Sequence, residues 1–244
     1  MIHRDVRGPV ALLTIDRPER RNAVDHEALA ALADGIGAAV ADPATRVLVL
    51  SGAGGHFCAG ADLTGVEDAG FGATLRVVLT GLRDAPFVTL ASVEGAALGA
   101  GTQLAIACDL RVAAADARFG IPAARLGLVV DEWTVRRLAL LAGHGTARAM
   151  LLAADVVTGE RAVAIGLAQR LGGLDEAMAW ASEIATLAPL TIAGHKLALN
   201  RAEAGDGDDA AAAAEAFRRA WASADLQEGL AAFRERRPPV FRGE

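Results

Sequence analysis

The sequence predicts an α/β protein with a helical C-terminal part, and three observations carry that prediction. Short runs rich in branched apolar residues (VALLTI at 10–15, RVLVL at 46–50, FVTLASV at 87–93) alternate with stretches whose apolar residues recur at helical spacing. Two of these runs lead directly into glycine-rich segments, SGAGGHFCAGAD at 51–62 and EGAALGAG at 94–101. From about residue 131 onward the pattern turns almost wholly helical.

In chain order, Val10–Ile15 reads as a strand that ends at the basic turn DRPERRN. Asp25 is placed to cap a helix running to about Val40, with Leu29, Leu32, Ile36 and Val40 on one face. Arg46–Leu50 is a buried strand feeding the first glycine loop. A helix fills Gly72–Arg83, and Phe87–Val93 is the next strand, feeding the second loop. Thr102–Ala107 reads as helix and Leu110–Ala113 as strand. The stretch AGDGDDAAAAAEAF at 204–217 reads as a hinge followed by an alanine-rich helix, and the helical pattern stops at Pro238.

Composition narrows the function classes. The 244 residues are 53% hydrophobic with no tyrosine, so the core is built from Ala, Leu and Val. A net charge of −6 argues against a general nucleic-acid binder, which carries a basic face. Cys58 and Cys108 are too few for a disulfide framework and read as reduced thiols of a cytoplasmic protein. No run approaches the roughly 20 apolar residues of a membrane span, so no membrane insertion is expected. The N-terminal MIHRDVRGPV lacks the apolar segment of a signal peptide. The five histidines have no metal-ligand spacing, and neither a G-x-S-x-G elbow nor a P-loop occurs; no metal and no cofactor are expected.

Both glycine loops share one design: a buried strand, small residues, then a helix start. Such a start offers unpaired backbone N–H groups and the positive end of the helix dipole, suited to an anion or a developing oxyanion.

HFCAGADL, followed by SVEGAALGAGTQLAIACDLRVAAADARFGIPAARLGL, resembles the enoyl-CoA hydratase/isomerase (crotonase) superfamily. The likeness runs from RPERRNAV to the closing FRERRPPVF, and the LxxDxWxxRRL helix start is similar to an actinobacterial branch named enoyl-CoA hydratase that lacks both catalytic glutamates. The resemblance implies a spiral of ββα units over residues 1–188 and a helical trimerisation region over 189–244. It implies acyl-CoA thioesters as ligands, held by an oxyanion hole formed by the amides of Ala61 and Ala100. The family usually has glycine at the second position, so here a Cβ stands beside the thioester.

The family's hydratases use two glutamates that share a water. By position these are Gln103 and Ala123 here. An amide cannot exchange a proton at neutral pH and a methyl group can do less. Each such acid–base group supplies roughly 10²–10⁴ in rate. Asp131 then has two readings: the N-cap of the helix that starts at WTVRRLALLAG, or a catalytic acid, in the register where the family's dienoyl-CoA isomerases and a dehalogenase place an aspartate. Glu132 reads as solvated. Trp133 is either core or a wall of the acyl pocket.

For the coenzyme, the resemblance places Arg20, Arg21 and Ala59 against the CoA, with Asp62 holding the loop. Phe233 and Arg236 would reach the adenosine phosphate of a neighbouring subunit in a homotrimer or dimer of trimers. A family lysine is replaced by Thr64. The sequence therefore points to a non-hydrating binder or carrier of fatty acyl-CoA in lipid metabolism, with lipid-synthesis enzymes as possible partners. The alternative is a weak enoyl-CoA hydratase, or an isomerase or hydrolase using Asp131.

Overall fold

The computed structural model describes residues 1–62, 70–204 and 210–244. The first part of the chain runs β1 (Ile2–Arg7), β2 (Val10–Ile15), α1 (His26–Ala41), β3 (Val47–Gly52), α2 (Gly70–Asp84), β4 (Val88–Val93), β5 (Ala96–Leu98) and α3 (Ala100–Ala107). It continues with β6 (Leu110–Ala113), β7 (Arg118–Gly120), α4 (Glu132–Leu152), β8 (Val156–Thr158), α5 (Gly159–Ala164), β9 (Arg170–Leu171) and α6 (Leu174–Ile184). Three helices close the chain: α7 (Pro189–Ala204), α8 (Ala210–Trp221) and α9 (Ala224–Glu235).

Six strands form the large sheet in the order β1-β2-β3-β4-β6-β9, antiparallel only at the β1–β2 edge. Its inner strands are mostly apolar because both faces are covered. Leu13, Ile15, Leu48 and Leu50 point to the main core with α1, α2 and α3. Val10, Leu12, Val47 and Val49 point the other way, against Ala177, Ala181 and Ile184 of α6. The charged strand β1 is exposed beyond Ile2 and pairs only through its backbone with β2.

The smaller sheet, β5-β7-β8, turns this layer into a spiral. Each inner strand of the large sheet rounds a corner and then pairs a second time with its successor. After β2 the chain bridges Val24 to Ala61, after β3 it bridges Cys58 to Ala97, and β5 then pairs with β7. Stacked corners of this kind make the ββα spiral and bring the two glycine loops side by side.

Several sequence expectations meet the structure with shifted ends. The Asp25 cap is present, its carboxylate accepting the Ala28 amide at 2.9 Å. The helix expected at Thr102 starts two residues earlier, at Ala100, because Gly99 at φ +53° turns the chain into it. The region after residue 131 also holds the short strands β8 and β9. The expected hinge at 205–209 lies outside the described residues.

Two buried cations tie distant parts of the chain together. Lys196 of α7 donates to the carbonyls of Leu82 and Phe87 and pairs with Asp109 at 2.7 Å. Burial lowers its pKa, and Asp109 partly offsets that. Arg111, fully buried, spends its guanidinium on the carbonyls of Leu167, Ala105, Cys108 and Asp109. Burial, to which the neighbouring Arg137 charge adds, lowers its pKa to about 10.

Candidate functional site

The two glycine loops meet at the start of α3. Cys58 N–H donates to Ala96 O at 2.8 Å and Leu98 N–H donates to Cys58 O at 3.0 Å. The approach is close enough that a Cβ on Gly101 would lie 2.0 Å from Cys58 O, so only glycine fits there. Asn22, fully buried, holds the first loop from behind: its amide donates to Ala53 O and His56 O, and its carbonyl accepts the Arg17 amide. Sequence reasoning did not single out Asn22 as a structural residue; its αL backbone, φ +60°, belongs to the turn that follows PERR.

The peptide N–H groups of Ala61 and Ala100 are left without an acceptor among the described residues. For Ala61 the cause is the bridge to Val24, which uses Gly60 O and the Asp62 amide and so turns the Ala61 N–H to the opposite side. For Ala100 it is position: the first residue of α3 has no acceptor one turn back. Both residues line a cavity of about 970 Å³.

That cavity lies between the loops, α2, α4 and α7, and its walls are mostly apolar, including Phe71, Leu75 and Leu79. It collects Ala59, Ala61, Ala100, Gln103, Ala123, Asp131 and Trp133, seven of the positions singled out in the sequence. Arg20, Arg21, Asp62, Phe233 and Arg236 do not line it. Arg20 and Asp62 face each other at 3.9 Å, and Asp62 also meets Arg17 at 3.5 Å. Arg21 O accepts the Ala59 amide, so this basic turn borders the first loop. Phe233 is 85% exposed, and Arg236 ends α9 at φ +54°. Thr64 lies outside the described residues.

Asp131 is the N-cap of α4. One carboxylate oxygen accepts the Thr134 amide at 3.1 Å; the other accepts the Thr134 hydroxyl at 2.9 Å and the Gln103 amide at 3.4 Å. Arg76, largely exposed, stands 3.8 Å from the first oxygen. Asp131 thus caps the helix and lines the cavity at once. The side chain of Glu132 is 91% exposed. Trp133 likewise does both things weighed for it: it packs on the main core and lines the cavity.

At the cavity edge formed by α7, Glu203 pairs with Arg137 of α4 at 2.5 Å, and Arg137 also donates to Ile106 O. Asn200 binds Arg83 O nearby. Sequence reasoning missed this polar edge. Its only local signal is an asparagine and a glutamate spaced three apart near the end of α7, a helix that also carries His195, Lys196 and Arg201.

Residues 5–244 match the family model described as enoyl-CoA hydratase/isomerase. A Mycobacterium tuberculosis protein named "probable enoyl-CoA hydratase echA6" is 46% identical over 242 residues, 96% of each chain. The crotonyl-CoA hydratase of Syntrophomonas wolfei is 34% identical, over 95% of this chain and 94% of its own. The crystal structure of an enoyl-CoA hydratase from Polaromonas superposes with a TM-score of 0.91 at 31% identity, covering 98% of this chain and 99% of that one. The chain belongs to the enoyl-CoA hydratase/isomerase family, the crotonase superfamily.

Proposed function

We propose that this protein binds fatty acyl-CoA thioesters without hydrating them and serves as a binder or carrier in lipid metabolism. The observation that carries this reading is the mismatch between the cavity's electrostatics and its acid–base chemistry. Ala61 and Ala100, whose amides have no acceptor among the described residues, line a cavity large and apolar enough for an acyl chain. The carboxylates among its described lining residues are Asp131 and Glu203. The first has both oxygens occupied by Thr134 and Gln103, and the second is drawn to Arg137. Gln103 and Ala123, at the positions of the family's glutamates, cannot move a proton.

In this reading Ala59 and the turn bearing Arg20 and Arg21 hold the coenzyme, with Asp62 keeping the arginines in place. The exposed apolar residues Phe217, Trp221, Leu230 and Phe233 suit packing of one copy against another, as a homotrimer or a dimer of trimers. Phe233 and Arg236 would then reach a neighbour's coenzyme. The protein would work in the cytoplasm, without a metal or further cofactor, beside lipid-synthesis enzymes. Among the described residues no helix is long and apolar enough to cross a membrane.

The names of the relatives favour a second reading, a slow enoyl-CoA hydratase; Asp131, lining the cavity, leaves isomerase or hydrolase chemistry as its variant. Crotonyl-CoA turnover and direct acyl-CoA binding, measured on one preparation, separate the readings. Binding without turnover is expected. A turnover number near ~10 s⁻¹, ordinary for an enzyme, would overturn the carrier.

A further inference from the structure

We propose that the side-chain carbonyl of Gln103 is a fixed hydrogen-bond acceptor that selects 3-hydroxyacyl thioesters over saturated and enoyl ones, with Thr134 and Asp131 as its positioning residues. The proposal rests on the acyl-CoA reading above and adds to it the feature of the acyl chain that is recognised.

The orientation of the Gln103 amide follows from what its neighbours can donate. Asp131 accepts and does not donate. The Thr134 hydroxyl has a single proton, and it goes to Asp131 at 2.9 Å. Thr134 Oγ1 can therefore only accept from Gln103, so the Gln103 NH₂ group is the end that faces it, at 2.8 Å. The opposite orientation would set the Gln103 oxygen against the Asp131 carboxylate. Donation thus runs one way, from Gln103 through Thr134 to Asp131, and ends on a charged acceptor, which strengthens each bond in it.

The other end of the amide is consequently fixed as well. Gln103 is 6% exposed, yet its Oε1 has no donor among the described residues and is not among the sealed, unpartnered side-chain atoms. It opens onto the cavity that the residue lines. Thr134 is fully buried, so this arrangement is held in the core rather than at the surface.

Position on α3 sets which ligand atom it meets. Gln103 lies one turn after Ala100, on the same helix face, and the rise between them is about 4.5 Å. A thioester oxygen at the Ala100 amide puts the first acyl carbons beside Gln103. A hydroxyl on the β-carbon, three bonds from the carbonyl carbon, matches that separation better than one on the α-carbon. A saturated or enoyl chain brings only C–H groups and leaves the carbonyl desolvated without a partner.

The test is calorimetric titration of the full chain with CoA thioesters of one chain length: saturated, trans-2-enoyl, 2-hydroxy and 3-hydroxy. The 3-hydroxyacyl thioester is expected to bind about fivefold tighter than the saturated one, the yield of one neutral hydrogen bond. Gln103→Met should bring that ratio to one, because it removes both the acceptor a 3-hydroxyl would use and the carbonyl a saturated chain would desolvate. Thr134→Val, which removes the anchor but not the acceptor, should reduce the ratio. Equal affinities in the unmodified protein, a preference for the 2-hydroxy compound, or a ratio that survives Gln103→Met would overturn the proposal. Failure to bind any thioester would overturn the acyl-CoA reading with it. Conversion of enoyl to 3-hydroxyacyl thioester during titration would overturn only the carrier, since the 3-hydroxyacyl-to-saturated ratio still reads the role of Gln103.

Discussion

Asp131 and Thr134 are joined by two hydrogen bonds at the start of α4, both donated by Thr134: one carboxylate oxygen accepts its amide at 3.1 Å and the other its hydroxyl at 2.9 Å. The helix that walls the cavity is therefore capped by the same side chain that could have served as an acid. Asp131→Ala removes the cap and should destabilise the protein by about 1 kcal/mol. Asp131→Asn keeps an acceptor for the amide and should stay closer to the parent while loosening ligand fit. Thermal unfolding and acyl-CoA titration check this. Loss in Asp131→Asn of a measurable isomerase or hydrolase activity of the parent would make Asp131 a catalytic acid instead.

On the carrier reading, giving this cavity hydratase chemistry takes more than two glutamates. Ala123→Glu faces the cavity without an obvious opponent. Gln103→Glu, however, sets a second carboxylate where the amide now lies 3.4 Å from Asp131, and two such groups hold a proton between them. The expectation is that Gln103→Glu with Ala123→Glu gains little on its own, and that adding Asp131→Asn raises crotonyl-CoA hydration by at least tenfold over the double variant, within the range of roughly 10²–10⁴ for one acid–base group. Ala100→Gly should help further by removing the Cβ beside the thioester. If the combined variant binds acyl-CoA and hydrates nothing, the pocket no longer positions a water.

The parts of this architecture legible in the sequence are those whose cause is local. Val10–Ile15 and Leu110–Ala113 end where their apolar runs end, and Asp25 and Asp131 cap helices because a short acceptor precedes an apolar periodic stretch. β5, β7 and β8 have three residues each, and their pairing partners come from distant corners of the spiral, so no run announces them. β1 is charged and exposed, with no core face to impose a pattern. The site divides in the same way. The small residues of the two loops mark tight turns with unpaired amides, and the family resemblance is what singles out those of Ala61 and Ala100. The Gln103–Thr134 bond spans 31 positions and the Arg137–Glu203 pair 66, and neither leaves a trace in local spacing.

The stretch from Arg237 to Val240 should loosen in acid. Glu228 accepts two bonds from Arg237, at 2.6 and 2.9 Å, and one from the Val240 amide. Those bonds hold its carboxyl down at about 2, against 4.5 for a free glutamate. A depressed carboxylate pKa means the anchoring is fully present above about 4.5 and is lost as pH falls towards 2. Glu228→Gln should mimic that loss at neutral pH, loosening residues 237–240 without unfolding α9, as read by amide exchange. Unchanged protection of the Val240 amide in the variant would contradict the assignment.

The two cysteines should make the protein lose stability in alkali. Cys58 and Cys108 are fully buried, and desolvation pushes each thiol up to about 12 from 9.0. Between those values the unfolded chain has released both protons while the folded chain retains them, so unfolding becomes easier as pH rises, by at most ~1.4 kcal/mol per pH unit per thiol. Lys196 acts in the opposite sense. Its pKa is lowered by burial below 10.5, so the unfolded chain holds that proton longer and stability gains as pH rises towards 10.5. Arg111, lowered to about 10, joins Lys196 only above that value, so between pH 9 and 10 two thiols stand against one amine and the falling trend should prevail. The contribution of the thiols is isolated by Cys58→Ala with Cys108→Ala: lost packing lowers stability equally at every pH, whereas the alkaline slope flattens. Urea unfolding of both proteins at pH 8, 9 and 10 reads the slopes, and identical slopes would refute the burial argument. A thiol reagent at pH 8 gives an independent check, expected to leave the native protein unmodified and to label two thiols per chain once it is unfolded.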